Sequence, residues 1–180
     1  MTVTVRRVRA GEWQALRDLR LAALEDSPHA FSATLEQAKR RSNMEWRSLA
    51  SLGAAGERWM TVVAQADKGR LVGMATGHFP DERHRPNDDP SIPSLMQMWV
   101  EPEHRRTGVG RALVKDVLRW ADAKKAAVVR LEVNEADRGA VAFYTACGFS
   151  PTGRRDDTSL PGSVALEMES PSRPDRSPIA

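Results

Sequence analysis

The sequence predicts an α/β domain in which a mixed central β-sheet is flanked by helices. Apolar runs of strand length alternate with segments of helical period along most of the 180 residues. Two of these runs enclose a short polar connector, as in a hairpin, and the second half alternates strands and helices, as parallel crossovers do. The predicted element order is β-α-α-β-β-β-α-β-α-β. We expect one domain because 180 residues is an ordinary domain length.

The first three elements are predicted from a change of period. Val3–Val8 alternates apolar and polar residues, which is typical of a half-buried strand. Apolar residues in the next segment, 13–24, recur at helical spacing. A second helical tract covers about Ser32–Leu52. Within it, Ser42 and Glu45 have the spacing of a capping box, in which each side chain satisfies a free amide at a helix start.

The middle of the chain is predicted to be a hairpin followed by a loop. The apolar runs Trp59–Ala64 and Leu71–Phe79 flank a polar connector that contains glycine. The segment Pro80–Ser94 then holds four prolines and six charged residues, so it cannot be a helix or a central strand. At this length it is a candidate functional loop.

The second half completes the sheet. Three strands and two helices are expected there. In chain order they are the strand Leu95–Val100, the helix Gly110–Lys125, the strand Ala127–Val133, the helix Gly139–Ala146 and the strand Val164–Met168. The end of the chain is rich in proline and poor in bulky apolar residues, which predicts a loose tail at 170–180 after a domain of residues 1–169.

Composition excludes several classes of protein. Lys and Arg number 27 against 24 Asp and Glu, a net charge of +3, which is small for a dedicated nucleic-acid binder. No apolar run approaches the ~20 residues of a membrane span, and no signal peptide is recognisable. The single cysteine, Cys147, excludes an internal disulfide and a zinc site built on several thiolates. We therefore expect a cytoplasmic protein.

A glycine-bearing loop between a strand and a helix carries the most chemistry. It reads Arg105-Arg-Thr-Gly108-Val-Gly110, and its glycines allow a tight turn with unobstructed N–H groups at the positive end of a helix dipole. Together with Arg111, this loop suits a diphosphate, although an ordinary helix start with solvated arginines fits equally well. A Mg-binding P-loop is excluded because Gly110 is followed by Arg-Ala, and a dinucleotide fingerprint because position 113 is Leu.

This loop resembles the Arg/Gln-x-x-Gly-x-Gly/Ala acetyl-CoA loop of the GCN5-related N-acetyltransferase (GNAT) family. It follows an apolar-x-Val-x-Pro run at 98–102, where that family has it. Downstream, Leu131-Glu-Val-Asn and then Ala140-x-x-x-Tyr144-x-x-x-Gly148-Phe resemble the family's second signature. The resemblance covers about residues 3–169, with its weight on 95–149, and implies the GNAT fold.

The resemblance also implies roles for individual residues. The cosubstrate would be acetyl-CoA, with no metal. The strand end would offer backbone groups to pantetheine, the amide of Met98 or Trp99 would polarise the thioester carbonyl, and the loop amides would hold the pyrophosphate. The residues expected to bind acetyl-CoA are Met98, Trp99, Val100, Arg105, Arg106, Thr107, Gly108, Val109, Gly110, Arg111, Asn134 and Asp137.

Two side chains are the candidates for proton transfer. By resemblance, Tyr144 would donate a proton or a hydrogen bond to the departing thiolate, and a tyrosine is protonated at neutral pH. Glu132 lies in a Leu-Glu-Val strand, whose glutamate acts as a base in some family members, notably ribosomal-protein N-terminal alanine acetyltransferases. In others the glutamate is merely structural, so its role as a base stays open.

One position departs from the family pattern. Asp137 stands where the family commonly has Asn, and an ionised carboxylate cannot donate a hydrogen bond and would repel a phosphate. Asn134 is the candidate to supply an amide instead.

The weaker candidates are placed as follows. For His78 we expect a structural role, and contact with the acceptor is the alternative. Cys147 is expected to be a small core residue and not an acyl carrier. Trp99 is a candidate border of the acceptor pocket, and Lys39–Arg41 is expected to be a solvated helix face.

The favoured function is transfer of an acetyl group to a primary amine of a small molecule or a peptide or protein N-terminus. Direct transfer in a ternary complex is expected, without metal, nucleic acid or membrane. The alternative is a non-catalytic acyl-CoA-binding sensor or scaffold. The acceptor should be set by the first two helices, the 80–94 loop and the end of the chain. Its identity and the oligomeric state, a homodimer included, stay open.

Overall fold

The computed structural model describes residues 2–81, 89–157 and 163–173. Within them seven strands form one sheet and five α-helices cover it. The strands are β1 (Thr4–Arg7), β2 (Trp59–Gln65), β3 (Leu71–His78), β4 (Ser94–Val100), β5 (Val128–Asn134), β6 (Ser150–Asp157) and β7 (Val164–Pro171). The helices are α1 (Trp13–Asp26), α2 (Leu35–Lys39), α3 (Asn43–Ala55), α4 (Val109–Ala123) and α5 (Arg138–Ala146).

The sheet is mixed, which confirms the predicted fold class. Its strand order is β1-β2-β3-β4-β5-β7-β6, and only the β4–β5 pair is parallel. The sequence prediction lacked β6. That strand, Ser-Pro-Thr-Gly-Arg-Arg-Asp-Asp, lies at the edge of the sheet, pairs only with β7 among the described strands, and has no alternating apolar side chains. Hydrophobic patterning therefore gave no sign of it.

The second predicted helix is two helices. The tract divides into α2 and α3 around residues 40–42, and each helix begins with its own capping box. The predicted box is confirmed: the amide of Glu45 donates to the Ser42 hydroxyl, and the amide of Ser42 donates to the Glu45 carboxylate at 2.7 Å. The capping box ends the first helix because it fixes the backbone of Ser42 in an extended conformation.

Two apolar layers hold the sheet between the helices. One layer joins α4 and α5 to side chains such as Leu131 and Val133 of β5. The other joins α1 and α3 to side chains such as Met74 of β3 and Trp99 of β4. Because side chains alternate along a strand, Glu132 between the two β5 residues points to the α1 side of the sheet.

The sheet opens between β4 and β5. Their register holds at a single pair, Ser94 opposite Arg130, and the strands part beyond it. A bulge in β4 places Gln97 and Met98 opposite one residue of β3, and Gln97 has a φ of 55°. The opening lies at the strand end whose backbone the family resemblance assigns to pantetheine.

The predicted boundary between domain and tail stays a prediction. The last strand continues to Pro171, and the Ser172 hydroxyl donates to the Ala126 carbonyl, while residues 174–180 lie outside the described ones. Residues 82–88 of the predicted loop also lie outside them. Among the described residues no helix is long and apolar enough to cross a bilayer.

Candidate active site

The opening between β4 and β5 is the centre of the candidate site. The helices that follow these two strands, α4 and α5, begin at the same edge of the sheet. A Cβ atom on Gly110 would lie 3.2 Å from the Met98 methyl group and 3.2 Å from the Phe143 ring. Glycine at 110 therefore lets the start of α4 approach the strand and the neighbouring helix closely.

The loop before α4 has the geometry of an anion cradle. Arg106 has a φ of 62° and Gly108 a φ of 91°, which turn the chain sharply into the helix. The Thr107 hydroxyl donates to the His104 carbonyl at 2.7 Å and fixes the turn. The first amides of α4 have no partner within the helix, so they are available to an anion at its positive end.

The three predicted arginines of this loop do not act together. Arg106 and Arg111 are exposed beside the amides. The Arg105 guanidinium instead donates to the Val100 carbonyl at 2.8 Å and to the Asp26 carboxylate. Arg105 therefore ties the loop to β4 and α1, and the predicted contacts of Arg105, Arg106 and Arg111 with the cosubstrate stay predictions.

Asp26, at the end of α1, is a residue that the sequence analysis missed. One carboxylate oxygen accepts hydrogen bonds from the Ser27 hydroxyl at 2.7 Å, the Trp99 indole at 2.9 Å and Arg105. These hydrogen bonds, that from Ser27 foremost, lower the pKa of Asp26 from its ordinary 3.8 to about 2. Asp26 thus ties α1 to the end of β4 and to the loop.

We predict that replacing Asp26 by Asn makes stability less dependent on acid pH. Because the folded-state pKa is lowered, the ionised carboxylate stabilises the native state above about pH 4, and this contribution disappears as the pH falls towards 2. Urea unfolding at several pH values measures it. The free energy of unfolding of wild type should exceed that of the variant near neutrality, and the difference should shrink below pH 4. A difference that stays constant with pH would contradict the assignment.

Tyr144 lies on the α4 and α5 side of the opening. Its ring makes edge contacts with Phe143 and Phe149, at centroid distances of 5.2 and 5.9 Å. Burial raises its pKa above the ordinary value of 10, so the hydroxyl remains a proton donor throughout the neutral range. Among the described residues, no side chain or backbone group forms a hydrogen bond with it.

Glu132 lies on the opposite side, in the wall of a cavity of about 520 Å³. Directly across from it on β7 is Glu167, whose carboxylate accepts from the Thr152 hydroxyl at 2.7 Å. Glu167 also lines this cavity and was not predicted. No sign of it was present in the sequence, because Glu167 occupies a polar position in the alternating pattern of the last strand, as a solvent-facing residue would. The opening thus separates a protonated phenol from a pair of carboxylates.

Asn134 and Asp137 are occupied by the turn that begins α5. The Asn134 side-chain oxygen accepts from the Ala136 amide at 3.0 Å. The Asp137 carboxylate accepts from the Ala140 amide at 2.9 Å, so Asp137 is the N-cap of this helix. Their predicted contacts with the cosubstrate remain predictions.

We predict that Asp137→Asn leaves acetyl-CoA binding equal or tighter. Asn is as good an N-cap as Asp, and it removes a negative charge from the neighbourhood of a bound phosphate. Asp137→Ala, the control, removes the cap and should lower stability by about 1 kcal/mol. Calorimetric titration and thermal unfolding measure the two effects. Clearly weaker binding by the Asn variant would show that the carboxylate has a role of its own.

The structure also places the weaker candidates of the sequence analysis. Trp99 is buried in the core on the α1 side and does not line the cavity, and His78 packs edge-on against Trp59 at 4.7 Å. Cys147 is half-buried against the core, and burial raises the pKa of its thiol. The prediction of a solvated helix face at 39–41 is wrong for Arg41, which follows the end of α2 and lines the cavity.

The comparisons with known proteins agree on one family. A sequence profile of the acetyltransferase (GNAT) family matches residues 13–149. Mycothiol acetyltransferase of Thermobispora bispora is 31% identical over 145 residues, which are 77% of this chain and 42% of that protein. Other curated relatives carry the name N-acetyltransferase. The chain spans less than half the length of these relatives.

Solved structures share the fold. An acetyltransferase of the GNAT family from Streptococcus pneumoniae superposes with a TM-score of 0.78 at 16% identity, covering 94% of this chain and 99% of that one. PaiA N-acetyltransferase from Thermoplasma acidophilum, solved in complex with coenzyme A, superposes with a TM-score of 0.66 at 16% identity, over 95% and 99%.

Proposed function

Since the chain belongs to the GNAT acetyltransferase family, we propose that it transfers the acetyl group of acetyl-CoA to a primary amine, of a small molecule or a peptide or protein N-terminus. The observation that carries this proposal is the opening between β4 and β5. It joins the loop before α4 and the partly buried Tyr144 on one side of the sheet to a cavity lined in part by Glu132 and Glu167 on the other. Two substrates can therefore meet there from opposite sides.

The loop and the strand edge fit acetyl-CoA. The amides from Arg106 to Arg111 would hold the pyrophosphate, with the charges of Arg106 and Arg111 beside it. Beyond Ser94 the edge of β4 is not paired with β5, so its backbone at 98–100 would contact pantetheine, although the Val100 carbonyl already accepts a hydrogen bond from Arg105. A fold neighbour solved in complex with coenzyme A supports the choice of cosubstrate.

The proposed chemistry is direct transfer. The amine nitrogen forms a bond to the thioester carbonyl carbon while the carbon–sulfur bond breaks. Glu132, directly or through water, takes the proton that the amine loses, and the Tyr144 hydroxyl donates one to the leaving sulfur. The Met98 or Trp99 amide would polarise the carbonyl. Holding both substrates in one opening supplies the approximation that the reaction needs.

An acetyl-enzyme on the single cysteine is disfavoured. The nucleophile in such a step is the thiolate, and burial raises the pKa of the Cys147 thiol. The thiol is also half-buried against the core, which supports direct transfer as well. One cysteine in 180 residues also fits a cytoplasmic protein.

A screen of acceptors tests the proposed function. The protein is incubated with acetyl-CoA and pooled primary amines, polyamines and short peptides, and free thiol is followed with a chromogenic disulfide. We expect thiol release that depends on both protein and amine, with an N-acetylated product by mass spectrometry. Calorimetric binding of acetyl-CoA without turnover on any pool would support the alternative, a non-catalytic acyl-CoA sensor.

A further inference from the structure

A buried arginine, Arg20, lines the cavity. It projects from α1 and is only 6% exposed, and its Nη1 atom has no hydrogen-bond partner among the described residues. No acidic side chain among the described residues lies within 4 Å of its guanidinium. The ring of Phe31 lies 4.2 Å from it, which contacts the flat face of the guanidinium and leaves its N–H edge available.

A second arginine lies on the same side. Arg41 lines the cavity and also a small neighbouring pocket, and Arg20 and Gln97 line both as well. Its guanidinium is 5.5 Å from the Trp46 ring. The charge of Arg41 acts on the Glu45 carboxylate, but that carboxylate accepts its hydrogen bond from Ser42 in the capping box of α3. Burial, and then the charge of Arg41, lower the pKa of Arg20 to about 10, so the two cations repel each other.

Two arginine side chains held close together, one of them buried, destabilise the folded protein unless an anion pairs with them. A buried charge normally has a partner, because taking it out of water is costly, and a like charge nearby adds to that cost. The planar fork of a guanidinium matches a carboxylate with two parallel hydrogen bonds. Gln97 adds a donor, since its side-chain oxygen already accepts from Thr76 at 3.3 Å and its NH₂ group is left for a ligand.

The other end of the cavity is acidic. Glu132 and Glu167 face each other across β5 and β7, and Arg130, on the same wall, is paired with Glu169 at 3.3 Å. Other acids of the lining have local partners: Asp89 accepts from Ser91, and Arg154 lies 3.7 Å from Asp156 and 3.6 Å from Glu167, so one arginine is shared between two carboxylates. The cavity therefore has one positive end and one negative end.

We propose that the acceptor is a small amine that also carries a carboxylate, as amino acids do, and that Arg20 and Arg41 bind that carboxylate. The amine then points towards Glu132 and the opening, where the acetyl group is expected. This inference rests on the proposed function and adds the substrate class. Arg20 and Arg41 are specificity-determining residues and take no part in the proton transfers.

The test compares acids with their neutral counterparts. Amino acids with α, β and γ spacing of amine and carboxylate are assayed beside their carboxamides, with acetyl-CoA and thiol detection. We expect kcat/KM for the preferred acid to exceed that for its carboxamide by about 10-fold to 100-fold, since each hydrogen bond to a charged group contributes strongly. Arg20→Met should abolish this preference, whereas Arg17→Met should keep it, because Arg17 is a half-buried arginine of the same helix that pairs with Asp18 and does not line the cavity.

Stability and binding separate this role from a structural one. Removing an unpaired buried charge should leave the thermal midpoint of the free protein unchanged or raise it. Two results would overturn the inference. In one, carboxamides are acetylated as efficiently as the acids. In the other, the Arg20→Met protein is destabilised yet keeps the preference for acids. If no amine is acetylated at all, the proposed function fails. The carboxylate site is then tested by thermal shift with the same amino acids, which must stabilise wild type and not Arg20→Met, and the absence of that shift overturns it.

Discussion

Replacing Tyr144 by Phe should lower the rate of acetyl transfer about 100-fold, the scale of a lost general acid. The change removes one hydroxyl and keeps the ring that contacts Phe143 and Phe149. Because burial keeps the phenol protonated, the loss should be the same from pH 6 to pH 9. Single-turnover measurements, in which chemistry limits the rate, give the effect directly.

Two controls make this result specific to the hydroxyl. The dissociation constant for acetyl-CoA should be unchanged within about twofold, and the thermal midpoint should not fall, since the phenol has no hydrogen-bond partner among the described residues. An unchanged single-turnover rate in the Phe variant would remove Tyr144 from the proton transfer. A parallel loss of binding would assign it to coenzyme recognition instead.

Replacing Gly108 by Asp should weaken acetyl-CoA binding at least about tenfold. A Cβ at this position meets no atom within 4 Å, so the side chain fits, and its carboxylate would lie beside the amides that are to hold the pyrophosphate. Two like charges about 4 Å apart near a protein surface repel by about 4 kcal/mol, enough for this loss. Calorimetric titration with acetyl-CoA measures it.

The chain offers matched controls for this change. Gly108→Asn has the same shape and nearly the same tolerance of a positive φ without the charge, so it reports the backbone strain alone. Gly153→Asp has the same backbone geometry, with a φ of 90° and open space, but lies in the edge strand β6. Both should bind acetyl-CoA nearly as wild type does. Equal losses in the Asp and Asn variants at 108 would contradict a phosphate at this loop.

Local patterns predicted most of the fold. Helices α1 and α4 were foreseen because their apolar residues recur at helical spacing, and strands β2 and β3 because two apolar runs flank a polar connector that contains glycine. The edge strand β6 was not, because its residues are polar and its position is fixed by pairing with β7. The bulge at Gln97 left no sign either. Gln has no preference for a positive φ, and the bulge becomes apparent only when β4 is paired with β3.

The site was predictable where one stretch of chain builds it. The glycines of the loop at 105–110 identify it in the sequence, and in the structure positive φ angles turn this loop sharply into α4. Asp26 and Arg20 escaped notice because their roles depend on distant partners, Trp99 and Arg105 in one case and Arg41 in the other. Arg20 did leave a signal, as a cation among the apolar positions of α1, but the sequence could not show that it lacks a partner.

Direct transfer between two bound substrates passes the acetyl group from coenzyme A to the amine with no acetylated protein in between, and isotope labelling detects the difference. Wild-type protein is mixed with acetyl-CoA carrying isotope in its acetyl group, with and without an accepted amine, and both protein and amine are analysed by mass spectrometry after a single turnover. We predict label on the amine nitrogen only when both substrates are present, one coenzyme A thiol per acetylated amine, and none on the protein, Cys147 included. Label on the protein before the amine is added would contradict direct transfer, and so would coenzyme binding with no labelled amine from any pool.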